Sequence, residues 1–231
     1  MIRTQLTVLA FASALGCIGP AAGQSIYVDI DIGIGDPALG NGAPSSAFGG
    51  AAGIPGFWNR VQADSDGPFA LKDATGSPTG VVLTAHGGGG ATGYRNTTNT
   101  GDYALWLNDG ERIGGSLIYT VTGLAPGSYR VFTAAVQPQG GVDDAFITVP
   151  GSSTTNPQLV TGPMPGNQLI QGITHSVHDI DFSGGALVIS AAGDDNAYVN
   201  GFQIEAAPEP ATVSAFALAL AGFAARRKRR M

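Results

Sequence analysis

From Ser25 to Ile32 the chain reads SIYVDIDI, with Ile26, Val28, Ile30 and Ile32 on one side and Tyr27, Asp29 and Asp31 on the other. That two-residue period predicts a strand with one buried face and one solvated face. Strand-like runs recur at Phe69–Leu71, Gly80–Ala85, Tyr103–Leu107, Ser116–Val121, Ser128–Val136, Ala145–Val149, Leu169–His178, Ala186–Ala191 and Tyr198–Glu205. Glycine, proline, asparagine and aspartate clusters separate them. Between the two ends of the chain no segment carries a helical period. The expected fold class is all-β, an antiparallel β-sandwich of short strands joined by turns. Between two of the stronger strands, Pro126-Gly127 predicts a type II turn, proline fixing φ and glycine accepting a positive one.

The two ends have a different pattern. Residues 1–23 carry Arg3, then an apolar stretch from Leu6 to Leu15, then small residues at Ala21 and Gly23. This predicts a signal helix cut by signal peptidase after Gly23. At the other end, Pro208-Glu209-Pro210 precedes an uncharged apolar run over 211–225, followed by Arg226, Arg227, Lys228, Arg229 and Arg230. A helix over that run would be about 22 Å long, short of the ~30 Å hydrocarbon core unless the flanking arginines snorkel. The basic cluster would stay on the cytoplasmic side, with the preceding domain outside.

The order of Pro-Glu-Pro, short apolar run and arginine cluster resembles the PEP-CTERM sorting signal of Gram-negative bacteria. The resemblance implies an exosortase as processing partner, with Pro208, Glu209 and Pro210 as recognition residues and Arg226–Arg230 as the basic stop. It also implies company with exopolysaccharide and biofilm systems, and a protein that crosses the inner membrane, is held briefly by a transmembrane helix at 211–225, and ends at the cell surface or in the extracellular matrix. The resulting division is a signal peptide at 1–23, a β-sandwich domain at 24–206 and a sorting tail at 207–231. Within the domain, the Gly-Leu-x-Pro-Gly-x-Tyr phrase at 123–129 and the final pair of runs, GGALVIS and AYVNGFQIE, resemble the jelly-roll sandwiches of galactose-binding-like domains. An immunoglobulin-like topology fits the same runs.

Composition narrows the choices. The chain has 36 glycines and 14 prolines among 231 residues, below the ~25–30% that marks low-complexity disorder. Sixteen of the 17 acidic residues but only five of the 11 basic ones lie between Gln24 and Ala206, which leaves that domain at −11. A surface this acidic repels phosphate backbones and argues against nucleic-acid binding. The single cysteine, Cys17, lies in the signal segment, so the domain would hold together without disulfides, cysteine nucleophiles or cysteine-bound zinc.

Candidate chemistry is sparse. His175 and His178 are three residues apart in an expected strand and would point to opposite faces, which does not suit a shared metal. Asp194, Asp195 and Asn196 form an oxygen-rich turn and are the candidate for a structural calcium, the one cofactor the sequence suggests; turn formation alone would call for the same residues. Trp58, Tyr94 and Trp106 are the candidates for stacking on a glycan, against the alternative that the tryptophans fill the core. Gly87–Gly90 lacks the Gly-Lys-Ser/Thr of a phosphate loop. No catalytic constellation is visible. The reading is a non-catalytic exported matrix or glycan-binding protein, with an extracellular polysaccharide as partner. The alternative is a secreted polysaccharide-active enzyme, which would need two facing carboxylates.

Overall fold

The computed structural model describes residues 26–34, 42–93 and 96–207. In chain order the elements are β1 (Tyr27–Gly33), β2 (Trp58–Gln62), β3 (Phe69–Lys72), β4 (Pro78–Gly87), β5 (Ala91–Gly93), α1 (Gly101–Leu107), β6 (Asp109–Arg112), β7 (Ser116–Thr122), β8 (Gly127–Ala134), β9 (Ala145–Thr148), β10 (Gln158–Val160), β11 (His175–Phe182), β12 (Ala186–Gly193), β13 (Tyr198–Val199) and β14 (Gly201–Ala206). One sheet has the order β11-β8-β14-β1-β2, a second β10-β9-β12-β7-β4-β3, and a small third β13-β6-β5. The two larger sheets face each other. Val28, Ile30 and Ile32 of β1, Val131 of β8 and Phe202 and Ile204 of β14 meet Leu83, Leu117, Tyr119, Ile147, Leu187 and Ile189 of the second sheet. The protein is a β-sandwich whose core is built by period-two alternation from both sheets.

The pairing is antiparallel except at one edge, where β1 and β2 run parallel from Asp29↔Trp58 to Gly33↔Gln62. The all-antiparallel expectation fails there because β2 cannot follow β1 by a hairpin. The chain returns to the same end first, and parallel neighbours need such a crossover. Residues 42–57 of that crossover lie over the outer face of the first sheet. There Phe48 packs with Trp58, Trp106, Leu107, Ala134, Val136 and Met164 in a second, smaller core.

That second core overturns the expectation of a solvated face on β1. Every residue of β1 is buried; Asp29 is 0% exposed and Asp31 1%. The run expected as a strand at Tyr103–Leu107 is instead the helix α1. Tyr103, Trp106 and Leu107, at i, i+3 and i+4, all join the outer core, the spacing of a helix face. Asp102 in its first turn accepts hydrogen bonds from the backbone N–H and the hydroxyl of Ser45, at 2.7 and 2.9 Å, which fixes the helix to the crossover.

Three boundaries also differ from the sequence reading. The strand expected at Leu169–His178 begins at His175 and runs on to Phe182, because residues 170–174 close a turn in which Thr174 N–H donates to the Ile170 carbonyl at 2.8 Å. The run at Tyr198–Glu205 divides at Asn200, where the chain passes from the third sheet to the first. The Asn200 side chain accepts from Val136 N–H at 2.7 Å and donates to the Asp109 carbonyl at 2.7 Å. In the turn before β8 the left-handed residue is Gly123, at φ 83°, not Gly127. A Cβ on Gly123 would sit 2.1 Å from the Gly80 carbonyl oxygen, so the glycine serves both conformation and close approach. Tyr129 closes the same turn by donating to the Ala125 carbonyl at 2.7 Å.

Candidate ligand groove

While the outer core covers the β1 end of the first sheet, the β8–β11 end stays open. These strands pair in register, with Arg130 opposite Asp179, Phe132 opposite Val177 and Ala134 opposite His175. Cross-strand partners share a face, so Arg130, Phe132, His175, Val177 and Asp179 form the floor of a groove. Residues 154–159 and 171–172 make its walls, and it encloses about 1060 Å³. Arg130 Nε and Nη2 donate to the two carboxylate oxygens of Asp179 at 2.7 and 3.1 Å. The hydrogen bond to Asp179 holds the Arg130 guanidinium more firmly protonated than usual.

The wall is fastened to the edge strand by its own polar side chains. Gln158 Nε2 donates to the Val177 carbonyl, and its Oε1 accepts from the Val177 N–H at 3.0 Å. The Asp179 carbonyl accepts from both Ser153 N–H at 2.8 Å and the Ser152 hydroxyl at 3.1 Å. These bonds use backbone groups on the free edge of β11 that would otherwise invite another strand.

His175 is 6% exposed, and its Nδ1 lies 3.0 Å from the Thr174 hydroxyl. Burial lowers its pKa to about 4, so it enters the groove neutral at neutral pH. The groove thus offers a compensated charge pair, a neutral imidazole, the hydroxyl of Thr155, the amide of Gln171 and one edge of Phe132. Such a set can donate to and accept from hydroxyl groups but presents no net charge. His178 points the other way: it is 0% exposed, and in register with the core residue Val131. The opposite orientation of the two histidines follows the strand period; both stand on the edge strand β11, yet both are buried.

The other expected site residues lie elsewhere. Trp58 is 4% exposed and Trp106 0%, and their rings sit 5.1 Å apart in the outer core. Trp58 Nε1 donates to the Phe48 carbonyl at 3.0 Å. Neither indole stands on a surface where a sugar could stack, so the stacking reading is corrected for both: the crossover 42–57 covers them. Tyr94 lies outside the described residues, as do Pro208, Glu209, Pro210 and Arg226–Arg230.

Asp194 accepts from Asp144 N–H at 3.0 Å, its own N–H donates to the Asp144 carbonyl at 3.0 Å, and its carbonyl accepts from Ala197 N–H at 3.0 Å. These bonds close the turn that joins β12 to β13, with Asp195 and Asn196 exposed at its tip. Among the described residues, no three His, Cys, Asp or Glu side chains converge as a metal-binding group. The structure therefore gives Asp194 a turn-closing task.

Beneath the crossover lies a buried polar network whose central residue, Gln203, is the cross-strand partner of the groove residue Phe132. Gln203 Nε2 donates to Tyr27 Oη at 2.7 Å and to the Gly49 carbonyl at 3.1 Å, also reaching Asp29 Oδ1, while its Oε1 accepts from Ala52 N–H at 3.0 Å. Burial raises Asp29 to about 6. Burial, then the neighbouring Asp109 carboxylate, raises Asp31 well above the ordinary range. This network clamps the crossover onto the sheet.

The sequence reading missed every residue of the groove floor except His175. Each was a polar or apolar position in an otherwise ordinary strand, and only the pairing of β8 with β11, 45 residues apart from Arg130 to His175, brings them together.

The described residues thus define a β-sandwich with one outer face half covered and half open. Beyond its last strand, residues 206–230 match the PEP-CTERM protein-sorting motif. That motif marks the chain for export and for exosortase-dependent sorting at the membrane. No curated protein sequence matches the chain. Among solved structures, the isomalto-dextranase of Arthrobacter globiformis T6 complexed with panose is similar at 15% identity with a TM-score of 0.32, over 58% of this chain and 24% of that enzyme.

Proposed function

We propose that the protein is a surface-sorted, non-catalytic domain that binds an uncharged polysaccharide in the β8–β11 groove. In this reading residues 1–23 are removed as a signal peptide, residues 24–206 form a jelly-roll domain of galactose-binding-like type, and residues 207–231 are the sorting tail with its membrane helix at 211–225. The observation that carries the ligand is the groove floor. Its one cation, Arg130, is already paired with Asp179, and the rest of the lining is uncharged: hydroxyl, amide, imidazole and aromatic edge beside the apolar Pro157, Leu159 and Val177. The surrounding domain is strongly acidic, so a uronic-acid polymer would be repelled while a neutral one would not. One carboxylate in the lining, itself ion-paired, supports binding over hydrolysis, which would need two at a separation of about 5–9.5 Å.

The test is a glycan array probed with the mature exported protein, including neutral and uronic-acid polymers. Neutral glycans are expected to bind, and Arg130→Ala and Thr155→Ala to lose that binding. An exposed ion pair is worth only about 0–1 kcal/mol, so Arg130→Ala should melt close to the wild type. Binding untouched by both substitutions would sink the groove as the site, and preference for uronic acids would sink the neutral-ligand reading.

A further inference from the structure

The first and last described segments of the domain meet at one pole of the sandwich. β1 leaves that pole and β14 returns to it, paired from Tyr27↔Glu205 to Asp31↔Gly201. The last bonds of the domain hold the end of β14 on both sides. Ala206 N–H donates to the Ile26 carbonyl at 3.1 Å, and Ala207 N–H to the Ser128 carbonyl at 2.8 Å. The next residue in the chain is Pro208, where the Pro-Glu-Pro signature begins. No spacer separates the folded strand from the sorting motif. On the other side, only Gln24 and Ser25 separate Ile26 from the expected signal-peptide cut.

The surface of this pole is low and small. It consists of the turns at 73–77, 123–127 and 183–185, with Thr75, Ser77, Gly123, Ala125, Pro126, Ser183 and Gly185 exposed. Asp73 is folded back into its own turn, accepting from Thr75 N–H at 2.9 Å and Ser77 N–H at 3.0 Å. Of the cations near this pole, Lys72 lies over the Phe57 ring at 5.0 Å, and Arg130, opposite Glu205, is paired with Asp179. Nothing here forms a basic patch for anionic headgroups, since Lys72 and Arg130 are both engaged.

We infer that this pole is the docking face for the membrane-embedded peptidase that processes the tail, and that the folded strand β14 sets the upstream limit of the cut at Ala207. The inference rests on the reading of the tail as an exosortase substrate. A peptidase must draw an extended segment into its site, and the residues through Ala207 are committed to the sheet. Cleavage within 201–206 would first require unzipping a strand that lies between β8 and β1 in its sheet. The enzyme is therefore confined to residues beyond Ala207 and works against the face of the domain. Crowding at that face slows it. The groove opens on the outer face of the first sheet, with its Arg130–Asp179 end two residues from Ser128 at this pole.

The experiment uses the full chain in a host that carries an exosortase. Wild type is compared with a variant carrying a Gly/Ser linker of roughly eight residues, about 15 Å on average, between Ala207 and Pro208. The C-terminus of released protein is read by mass spectrometry, and release by pulse-chase. The expected wild-type C-terminus is Ala207 or a later residue, and the linker variant should be released severalfold faster with its cut displaced by the inserted length. A C-terminus within 201–206, or identical release rates, would overturn the inference while leaving the sorting reading intact. An uncut tail in both chains would overturn the sorting reading and this inference with it.

Discussion

The side-chain amide of Gln158 pairs with both backbone groups of Val177, donating to its carbonyl and accepting from its N–H. It thereby imitates a strand residue on the exposed edge of β11. Gln158→Ala removes that imitation and leaves an edge residue open. The expected outcome is a loss of about 1–3 kcal/mol in denaturant unfolding, together with concentration-dependent association seen by light scattering. Gln158→Glu, which keeps the acceptor and loses the donor, should fall between the two. An Ala variant as stable and as monomeric as wild type would show that the edge needs no cap.

Asp29 and His175 pull stability in opposite directions across one pH interval. Burial raises Asp29 from 3.8 to about 6, so the folded state holds that proton more tightly and Asp29 costs stability as pH rises from about 4 to 6, by about 3 kcal/mol in all. Burial lowers His175 from 6.5 to about 4, so the unfolded chain takes its proton first and His175 costs a similar amount as pH falls through the same range. Asp31, raised, acts in the sense of Asp29, and His178, lowered, in the sense of His175. Relative to wild type, Asp29→Asn should lose melting temperature on acidification from pH 6.5 to 4, and His175→Gln should gain it. Parallel pH profiles for all three proteins would remove the linkage.

Both tryptophans of the chain lie under the crossover. Their emission should be blue-shifted and poorly quenched by acrylamide, and saturating the groove with ligand should leave it unchanged. Trp106→Ala should cost about 3–5 kcal/mol as a core truncation. A ligand-induced shift of the emission would place the binding site at the crossover instead.

Asn59 acts as a bolt between sheets. Its Nδ2 donates to the Asp29 carbonyl at 3.0 Å and the Lys72 carbonyl at 2.7 Å, and its Oδ1 accepts from Lys72 N–H at 2.8 Å. Asn59→Ala strands three backbone groups of β1 and β3 and should cost about 2–4 kcal/mol, whereas Asn59→Asp, which can still accept from Lys72, should keep part of it.

Asp194→Ala should lose about 1 kcal/mol by giving up the bond to Asp144 N–H, and the loss should be the same in EDTA and in millimolar calcium. A larger loss in calcium would restore the metal reading of that turn.

The alternation of buried and exposed positions made most strands legible. Ser116–Val121, Ala145–Val149 and Ala186–Ala191 were found within two residues of their ends. That pattern failed where a second layer covered the sheet. Asp29 and Asp31 read as a wet face because aspartate rarely lies fully buried; here Gln203 reaches Asp29, while burial and the neighbouring Asp109 raise the pKa of Asp31. Trp58–Gln62 went unread because Asn59 and Arg60 break its apolar run, although its pairing with β1 is regular. Tyr103–Leu107 is too short for a helical period to outweigh a run of aromatic and branched residues. The groove was illegible because register between distant strands is not written in either strand alone. The sorting motif was legible because its parts are contiguous and need no fold.

The position of β14 between β8 and β1 has a consequence in time. A chain that emerges amino end first presents β1 early, but its antiparallel neighbour is made of residues 201–206, about the last to appear before the tail. Until they arrive the first sheet is split into two fragments, with unpaired edges on β1 and β8, and neither the outer core nor the groove floor has its backing. Non-local closure of this kind is slow and leaves partly built chains prone to association. Completion of the domain therefore coincides with the appearance of the tail, and a chain cut short before Gly201 would arrive with its central seam open.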